Sequence, residues 1–273
     1  MDQQKVVLIT GASSGIGKAC AEHLAEKACL VFGTSRREEA LRKLQTFSGG
    51  GELYRLPMDV TDAESVRKGV SMLLAHTGRI DVAINSAGMG IFGPVAETDD
   101  AEAWLQMNTN LMGPFRVCRA LLPHMRQVGG LIVFISSLAA EVGLPFQSLY
   151  SASKAGLNGF AEALQIEAGP LVHMVVVEPG DCKTSFTERR KIVEGHNDTS
   201  PYNTRCRTVL QSQEKAEREG CDPSLVASLV WRIIQNPRPR FCYRVGPDAL
   251  TVSLSRFVPR RLVQWFVGRD YGL

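Results

Sequence analysis

The sequence predicts an α/β fold, doubly wound, with a central parallel sheet of about seven strands flanked by helices. Three observations predict it. Apolar runs alternate with helix-patterned segments along most of the 273 residues. The runs are rich in Val, Ile and Leu with little polar alternation, as strands buried on both faces read. The first run, residues 5–10, meets the turn Gly11-Ala12-Ser13-Ser14-Gly15-Ile16-Gly17, and that turn opens a helix pattern.

Each element follows from local pattern. Residues 5–10 read as a buried strand and 15–27 as a helix, with Ile16, Ala19, Cys20, His23, Leu24 and Lys27 near one stripe. Residues 30–34 give the second strand. A helix is expected over 38–47, ended by Ser48-Gly49-Gly50-Gly51. Residues 53–58 form the third strand, closed by Asp59-Val60. The next helix carries Ala63, Val66, Val70 and Leu73 on one face, with Thr61 or Asp62 as its cap. Residues 80–84 are the fourth strand and run into Asn85-Ser86-Ala87-Gly88. Thr98 or Asp99 caps a helical region reaching Arg126, with a break near Gly113-Pro114. Residues 131–135 are the fifth strand. A long helix starts near Ser148, and residues 171–177 form a sixth strand stopped by Pro179-Gly180.

The texture then changes. Residues 186–222 are polar and read as a partly mobile lid inserted over a substrate cleft. Pro223-Ser224 begins a helix, and residues 241–245 add a last parallel strand. Residues 249–273 are amphipathic, mixing Leu254, Phe257, Leu262, Trp265 and Phe266 with Arg256, Arg260, Arg261 and Arg269. Packing on the body or on a second copy is one reading of this tail; peripheral membrane contact, or a rim for a greasy substrate, is the other. The whole reads as one domain, 1–273.

Composition narrows the function. Hydrophobic residues make up 44% of the chain, enough for a sizeable core. A net charge of +3, with no basic block, argues against a nucleic-acid partner. Seven dispersed cysteines without a CxxC read as reduced thiols in a cytoplasmic setting. The five histidines have no metal-ligand spacing, so no metal is expected. No apolar run reaches the length of a membrane span.

In a doubly wound sheet the ligand crevice lies beyond the carboxyl ends of the strands. That rule gathers residues 11–17, 34–37, 59, 85–88, 136–137 and 179–184. The glycine turn at a helix start suits a phosphate, which backbone N–H groups and the helix dipole would hold. Tyr150 and Lys154 lie four apart, on one helix face. A nearby ammonium would favour the phenolate and lower its pKa, making Tyr150 an acid/base near neutral pH. Ser137, at the end of the fifth strand, can be brought beside it by the intervening loop. Asn110 interrupts a long helix, where it would hold a bend or a buried water.

Taken together, these segments resemble the short-chain dehydrogenase/reductase family, in the texture of its hydroxysteroid and retinol dehydrogenase branch. The resemblance rests on Thr10-Gly-Ala-Ser-Ser-Gly-Ile-Gly17, Asp59-Val60, Asn85-Ser-Ala-Gly88, Asn108-Thr-Asn-Leu-Met-Gly113, Ser137, Tyr150-x-x-x-Lys154 and Pro179-Gly180 with Thr184. Ser86, where the family more often has Asn, and Asp181-Cys182-Lys183 depart from the pattern. The resemblance implies a Rossmann fold. It implies catalytic roles for four residues: Tyr150 as proton donor or acceptor, Lys154 on that tyrosine and the nicotinamide ribose, Ser137 on the substrate oxygen, and Asn110 on a relay water. Gly11, Ser13, Ser14, Gly15, Ile16, Gly17, Asn85, Gly88, Pro179, Gly180 and Thr184 would hold the dinucleotide. Asp59 would accept from the adenine amine, with Val60 and Ala87 against the ring.

The cofactor expected is NADP(H). An acidic residue after the second strand would grip the ribose hydroxyls of NAD. Arg36 and Arg37 stand there instead, and guanidinium groups suit a 2′-phosphate. The substrate pocket is expected from Ser137, Val142, Leu149, Tyr150 and Phe186, an apolar set that suits a lipophilic ketone, aldehyde or alcohol. Rival readings are an NAD-dependent alcohol dehydrogenase of the same family and a non-catalytic dinucleotide-binding interaction protein. The long helices resemble the family's pairing surfaces, so a homodimer or homotetramer is expected.

Overall fold

The computed structural model describes residues 4–36 and 38–273. Arg37 therefore lies outside the described residues. The chain opens with β1 (Val6–Thr10), α1 (Gly15–Glu26), β2 (Leu30–Ser35), β3 (Arg42–Thr46) and β4 (Glu52–Pro57). It continues through α2 (Ala63–Thr77), β5 (Val82–Asn85), β6 (Ile91–Phe92), α3 (Asp100–Met107), α4 (Gly113–Val128) and β7 (Gly130–Ile135). It ends with α5 (Ser148–Glu167), β8 (Val172–Pro179), α6 (Phe186–Arg189), β9 (Lys191–Ile192), α7 (Asn203–Glu219), α8 (Pro223–Gln235), β10 (Cys242–Val245), α9 (Ala249–Ser255) and α10 (Arg260–Asp270).

The main sheet has eight strands in the order β10-β8-β7-β5-β1-β2-β4-β3. Seven pair in parallel as expected, and β3 joins antiparallel at the edge. Alternating side chains separate two cores. Leu8, Phe32, Ile132 and Phe134 face α2, α4 and α5, whose Leu73, Leu121 and Leu157 are fully buried against them. Val7, Ile9, Val31 and Val133 face α1 and α8 through Cys20, Leu24, Val230 and Ile233. The order reverses between β1 and β5, so the chain ends of these two strands open one crevice.

Caps hold where sequence places them. Asp62 accepts from Glu64 N and Ser65 N at 2.8 and 3.3 Å. Asp99 and Glu102 form a reciprocal capping box. The break expected near Gly113 is a π turn, Asn108–Met112, between α3 and α4.

Two expectations are corrected. Residues 38–47 do not form a helix: 42–46 are β3, hairpinned to β4 through a turn in which Gly50 has φ +84°. All five residues of β3 are exposed, while Leu41 and Phe47 on either side of it pack against the two cores. The open edge of β4 offers its backbone ladder, and Lys43 ion-pairs with Glu52 across it. The first helix buries Ala21 and Ala25 beside Cys20 and Leu24, while Lys27 is exposed. Residues 186–222 fold into α6, β9 and the 17-residue α7. β9 pairs with β6 as a separate two-stranded sheet, and Glu97 fixes the connection through His196 at 2.6 Å. The tail splits into α9 and α10 around Pro259. No helix among the described residues is long and apolar enough to cross a membrane.

Candidate active site

The strand ends surround a cleft of about 1650 Å³, large enough for a dinucleotide and a second molecule. Its floor begins at the glycine turn. Gly11 has φ +68°, which favours glycine, and a Cβ there would lie 2.7 Å from Ala87 Cα. A Cβ at Gly17 would lie 2.4 Å from the Gly11 carbonyl oxygen, so helix and turn meet backbone to backbone. Thr10 stitches this turn to the end of β5: its hydroxyl accepts from Ser86 N and Ala87 N, both at 3.1 Å.

Helix α1 presents an open N-terminus. Its cap Ser14 makes no side-chain capping bond, and no acidic residue occupies the first turn. These are the conditions that receive an anion. Arg189 of α6 reaches over and donates Nη1 to Ser14 Oγ at 2.6 Å, placing a cation beside that N-terminus. Arg36, just after β2, lines the cleft together with Thr34, Ser35, Asp59 and Val60. Asp59 accepts from Thr61 N and Thr61 Oγ1 at 2.9 and 2.7 Å, which fixes its carboxylate at the rim.

The second cluster stands at the β7 end. Ser137 follows the strand and accepts from Ala139 N at 3.1 Å. Tyr150 lies in the first turn of α5. Its phenol is pushed up to about 12, chiefly by burial, while a hydrogen bond from Ser137 acts the other way. In the site as it stands burial outweighs the lowering influence of Ser137 on this phenol. Burial also lowers Lys154 to about 8. Its Nζ donates to the Ile135 carbonyl at 2.9 Å and lies 5.8 Å from the Tyr150 ring centroid.

Asn110 stands behind this pair. Its Oδ1 accepts from Met89 N and its Nδ2 donates to Met89 O, each at 2.9 Å; Nδ2 also donates to Ser153 Oγ at 3.1 Å. It holds the wall of the cleft and does not line it.

A cover closes the other side. The Phe186 ring packs 5.7 Å from that of Tyr150, and Gly90 leaves room for it, since a Cβ there would lie 2.7 Å from Phe186 Cζ. Glu217 of α7 accepts from Thr187 Oγ1 at 2.6 Å and pairs with the buried Arg190. Burial, with Glu217 and Asp248 adding repulsion, raises Asp181 to about 6. Val252, Val258, Val263, Phe266 and Val267 of the tail complete an apolar wall.

Most sequence-predicted residues meet in this cleft: Gly11, Ser13, Ser14, Gly15, Ile16, Gly17, Arg36, Asp59, Val60, Ala87, Gly88, Ser137, Val142, Tyr150, Lys154, Pro179, Gly180, Thr184 and Phe186 all line it. Leu149 does not, because it is one residue off the Tyr150 face of α5 and half-buried elsewhere. Asn85 is buried under the cleft, with both amide atoms unpartnered. Arg189 escaped the sequence reading, as did the stitching role of the Thr10 hydroxyl; the tail wall is the rim for a lipophilic substrate that is one reading of residues 249–273. The Arg189-Arg190-Lys191 cluster was the one available signal for Arg189.

No metal-ligating cluster occurs among the described residues. The open helix N-terminus, the glycine cradle and the cation beside it fit the pyrophosphate of a dinucleotide.

Comparison with known proteins places these features in context. A family model described as short chain dehydrogenase matches residues 5–194. A 3-ketodihydrosphingosine reductase of Bacteroides thetaiotaomicron is 38% identical over 275 residues, covering 99% of each chain. An 11-beta-hydroxysteroid dehydrogenase 1A of Arabidopsis thaliana is 38% identical over 191 residues, covering 67% of this chain and 54% of that protein. The crystal structure of a short-chain dehydrogenase from Streptomyces avermitilis superposes with a TM-score of 0.81 at 29% identity, covering 97% of this chain and 96% of that one. No single branch, hydroxysteroid, sphingosine or other, stands apart among these matches.

Proposed function

This chain belongs to the short-chain dehydrogenase/reductase family, whose members transfer hydride with a dinucleotide, and within it we propose an NADP(H)-dependent reductase of lipophilic ketones or aldehydes. One observation carries the reading: Ser137, Tyr150 and Lys154 share the cleft at the strand ends.

The nicotinamide, when bound, supplies hydride to the carbonyl carbon. Negative charge then develops on the carbonyl oxygen. Ser137 Oγ and the Tyr150 hydroxyl are the two donors aimed at it, and Tyr150 delivers the proton. Lys154, whose Nζ donates to the Ile135 carbonyl, would also hold the ribose hydroxyls of a bound dinucleotide. Its positive charge favours the phenolate left after proton transfer. Asn110 keeps Met89 and Gly88 in place and offers its remaining acceptor site to a relay water.

Arg36 is the residue proposed to select NADPH, pairing with the 2′-phosphate; Arg37 is proposed beside it from sequence. Arg189 adds a charge at the pyrophosphate. Val142, Phe186 and the tail wall favour an apolar substrate. The name of the Bacteroides relative makes 3-ketodihydrosphingosine the first long-chain ketone to try. Its amino group would be a cation, which the carboxylates Asp181, Glu217 and Asp248 at the mouth suit. The rest of the proposal is a single domain acting in the cytoplasm as a homodimer or homotetramer. Its exposed tail residues Phe257, Trp265 and Phe266 contact membrane, where such a substrate would reside.

The test is a spectrophotometric screen of long-chain and aromatic ketones with NADPH and with NADH. Turnover with NADPH is expected, and Tyr150→Phe should abolish it while dinucleotide binding persists. Arg36→Ala should weaken NADPH about tenfold, the scale of one charged hydrogen-bonded pair, and leave NADH nearly unchanged. Full turnover in Tyr150→Phe removes the proton-transfer role; equal loss for both dinucleotides removes the phosphate role.

A further inference from the structure

The polar segment that covers the cleft begins and ends at a cysteine. Cys182 follows β8 and lines the cleft; Cys221 follows α7. The two residues form an isolated parallel bridge. Cys221 N donates to Asp181 O at 2.8 Å, and Lys183 N donates to Cys221 O at 2.9 Å. Gly220 holds the chains together, because a Cβ there would lie 2.4 Å from Asp181 O. The two thiol sulfurs stand 2.7 Å apart. That is well inside the ~3.5–4.0 Å at which non-bonded atoms rest. Facing residues on neighbouring strands are spaced ~4.8 Å apart, within the ~4.4–6.8 Å that a disulfide spans between Cα atoms. All seven cysteines are free, and this is the only cysteine–cysteine contact among the described residues.

We propose that Cys182 and Cys221 are a reversible redox-modification site, oxidised by a peroxide or a low-molecular-weight disulfide to a bond that staples the base of the cleft cover. Cys221 is half-buried and the more accessible thiol, whereas Cys182 is buried. A peroxide transfers one oxygen to the Cys221 sulfur, giving the sulfenic acid and one water. The Cys182 sulfur then attacks Cys221 Sγ, the S–OH bond breaks, and a second water leaves with the two remaining protons. Two thiols lose two electrons and the O–O bond gains them. With a small disulfide the same electrons reduce it to two thiols by exchange. The loop so closed holds Thr184, Phe186, Arg189 and Glu217, all of which line the cleft. In the reduced protein two backbone hydrogen bonds close its base; in the oxidised protein a covalent bond does.

The proposal is independent of the reaction assigned above. Its test is the full chain treated with hydrogen peroxide or oxidised glutathione, followed by non-reducing peptide mapping and alkylation of the remaining thiols. A peptide joining Cys182 to Cys221, lighter by two hydrogens and released by dithiothreitol, is expected. The oxidised protein should melt about 5 °C higher or more, as a closed loop of this length predicts, and resist proteolysis within 186–220. Cys221→Ser and, separately, Cys182→Ala should abolish the linked peptide and the shift. Linkage through other cysteines, persistence of both thiols while peroxide oxidises others, or a linked protein whose melting and proteolysis match the reduced one would overturn the proposal.

Discussion

Replacing Asn110 by Ala should cost the fold more than any other single truncation around the cleft. The side chain is 1% exposed and makes three hydrogen bonds, two to the backbone of Met89 and one to Ser153 Oγ. A primary amide has two donor hydrogens, so both are spent, and one acceptor position remains. That position lies toward Gly88, where a Cβ would sit 3.5 Å from Asn110 Oδ1 and 3.7 Å from Lys154 Nζ. Asn110→Ala leaves the Met89 N–H and C=O without their partner. Each buried group so orphaned costs roughly 1–3 kcal/mol, and water entering the vacated space recovers part of it. A loss of about 2–4 kcal/mol follows, or about 5–15 °C in Tm for a chain of this size. Thermal melts followed by circular dichroism measure it. Asn110→Asp keeps the acceptor for Met89 N but turns a carboxylate oxygen toward the Met89 carbonyl, so it should do no better than Ala at neutral pH. The Asp variant should improve as pH falls and the acid becomes a donor. A parent-like Tm for Asn110→Ala would refute the reasoning, because the Met89 groups would then have found partners elsewhere.

Three further outcomes follow from the same geometry. Burial holds Lys154 at about 8, below the ordinary ~10.4, so between these values the unfolded chain binds the extra proton. Its contribution to stability therefore rises with pH across that window, by up to ~1.4 kcal/mol per unit; Lys154→Met should flatten the rise in denaturant titrations, and parallel pH curves would reject the assignment. Arg189→Ala removes the cation over Ser14 and should weaken NADPH and NADH by the same factor in fluorescence titrations, whereas a loss confined to NADPH would move Arg189 to the 2′-phosphate. The exposed tail, with Phe257, Trp265 and Phe266 on its surface, Arg269 over the Trp265 ring and Arg261 exposed, should co-sediment with anionic vesicles and less with neutral ones. Trp265→Ser combined with Phe266→Ser should release the protein, and unchanged sedimentation would return the tail to packing against a second copy.

The parallel sheet was legible because each strand buried on two faces leaves an apolar run, and each crossover helix leaves a stripe. Asp62 and Asp99 marked helix starts because a cap is a local hydrogen bond. Residues 42–46 failed for the opposite reason. Ala40-Leu41-Arg42-Lys43-Leu44 has good helix propensity, yet Leu44 is 36% exposed and all of 42–46 lies open. The segment is decided by the unpaired edge of β4, which sequence periodicity does not register.

The site divides along the same physical line. Gly11, Gly17, Ser137, Tyr150 and Lys154 were readable because strand ends and an i,i+4 spacing place them without help from distant contacts. The cover was not. Arg189 meets Ser14 across 175 residues of chain, and Glu217 selects Arg190 rather than its neighbours only once α7 lies against α6. The phenol shows the same dependence. Four-residue spacing puts an ammonium near Tyr150, but it says nothing of how deeply both are buried, and depth decides the outcome: the same desolvation that lowers Lys154 raises Tyr150. A site opened to water by loss of Phe186 would let the phenol fall back toward its ordinary value. The cover therefore helps set the protonation state on which proton donation rests.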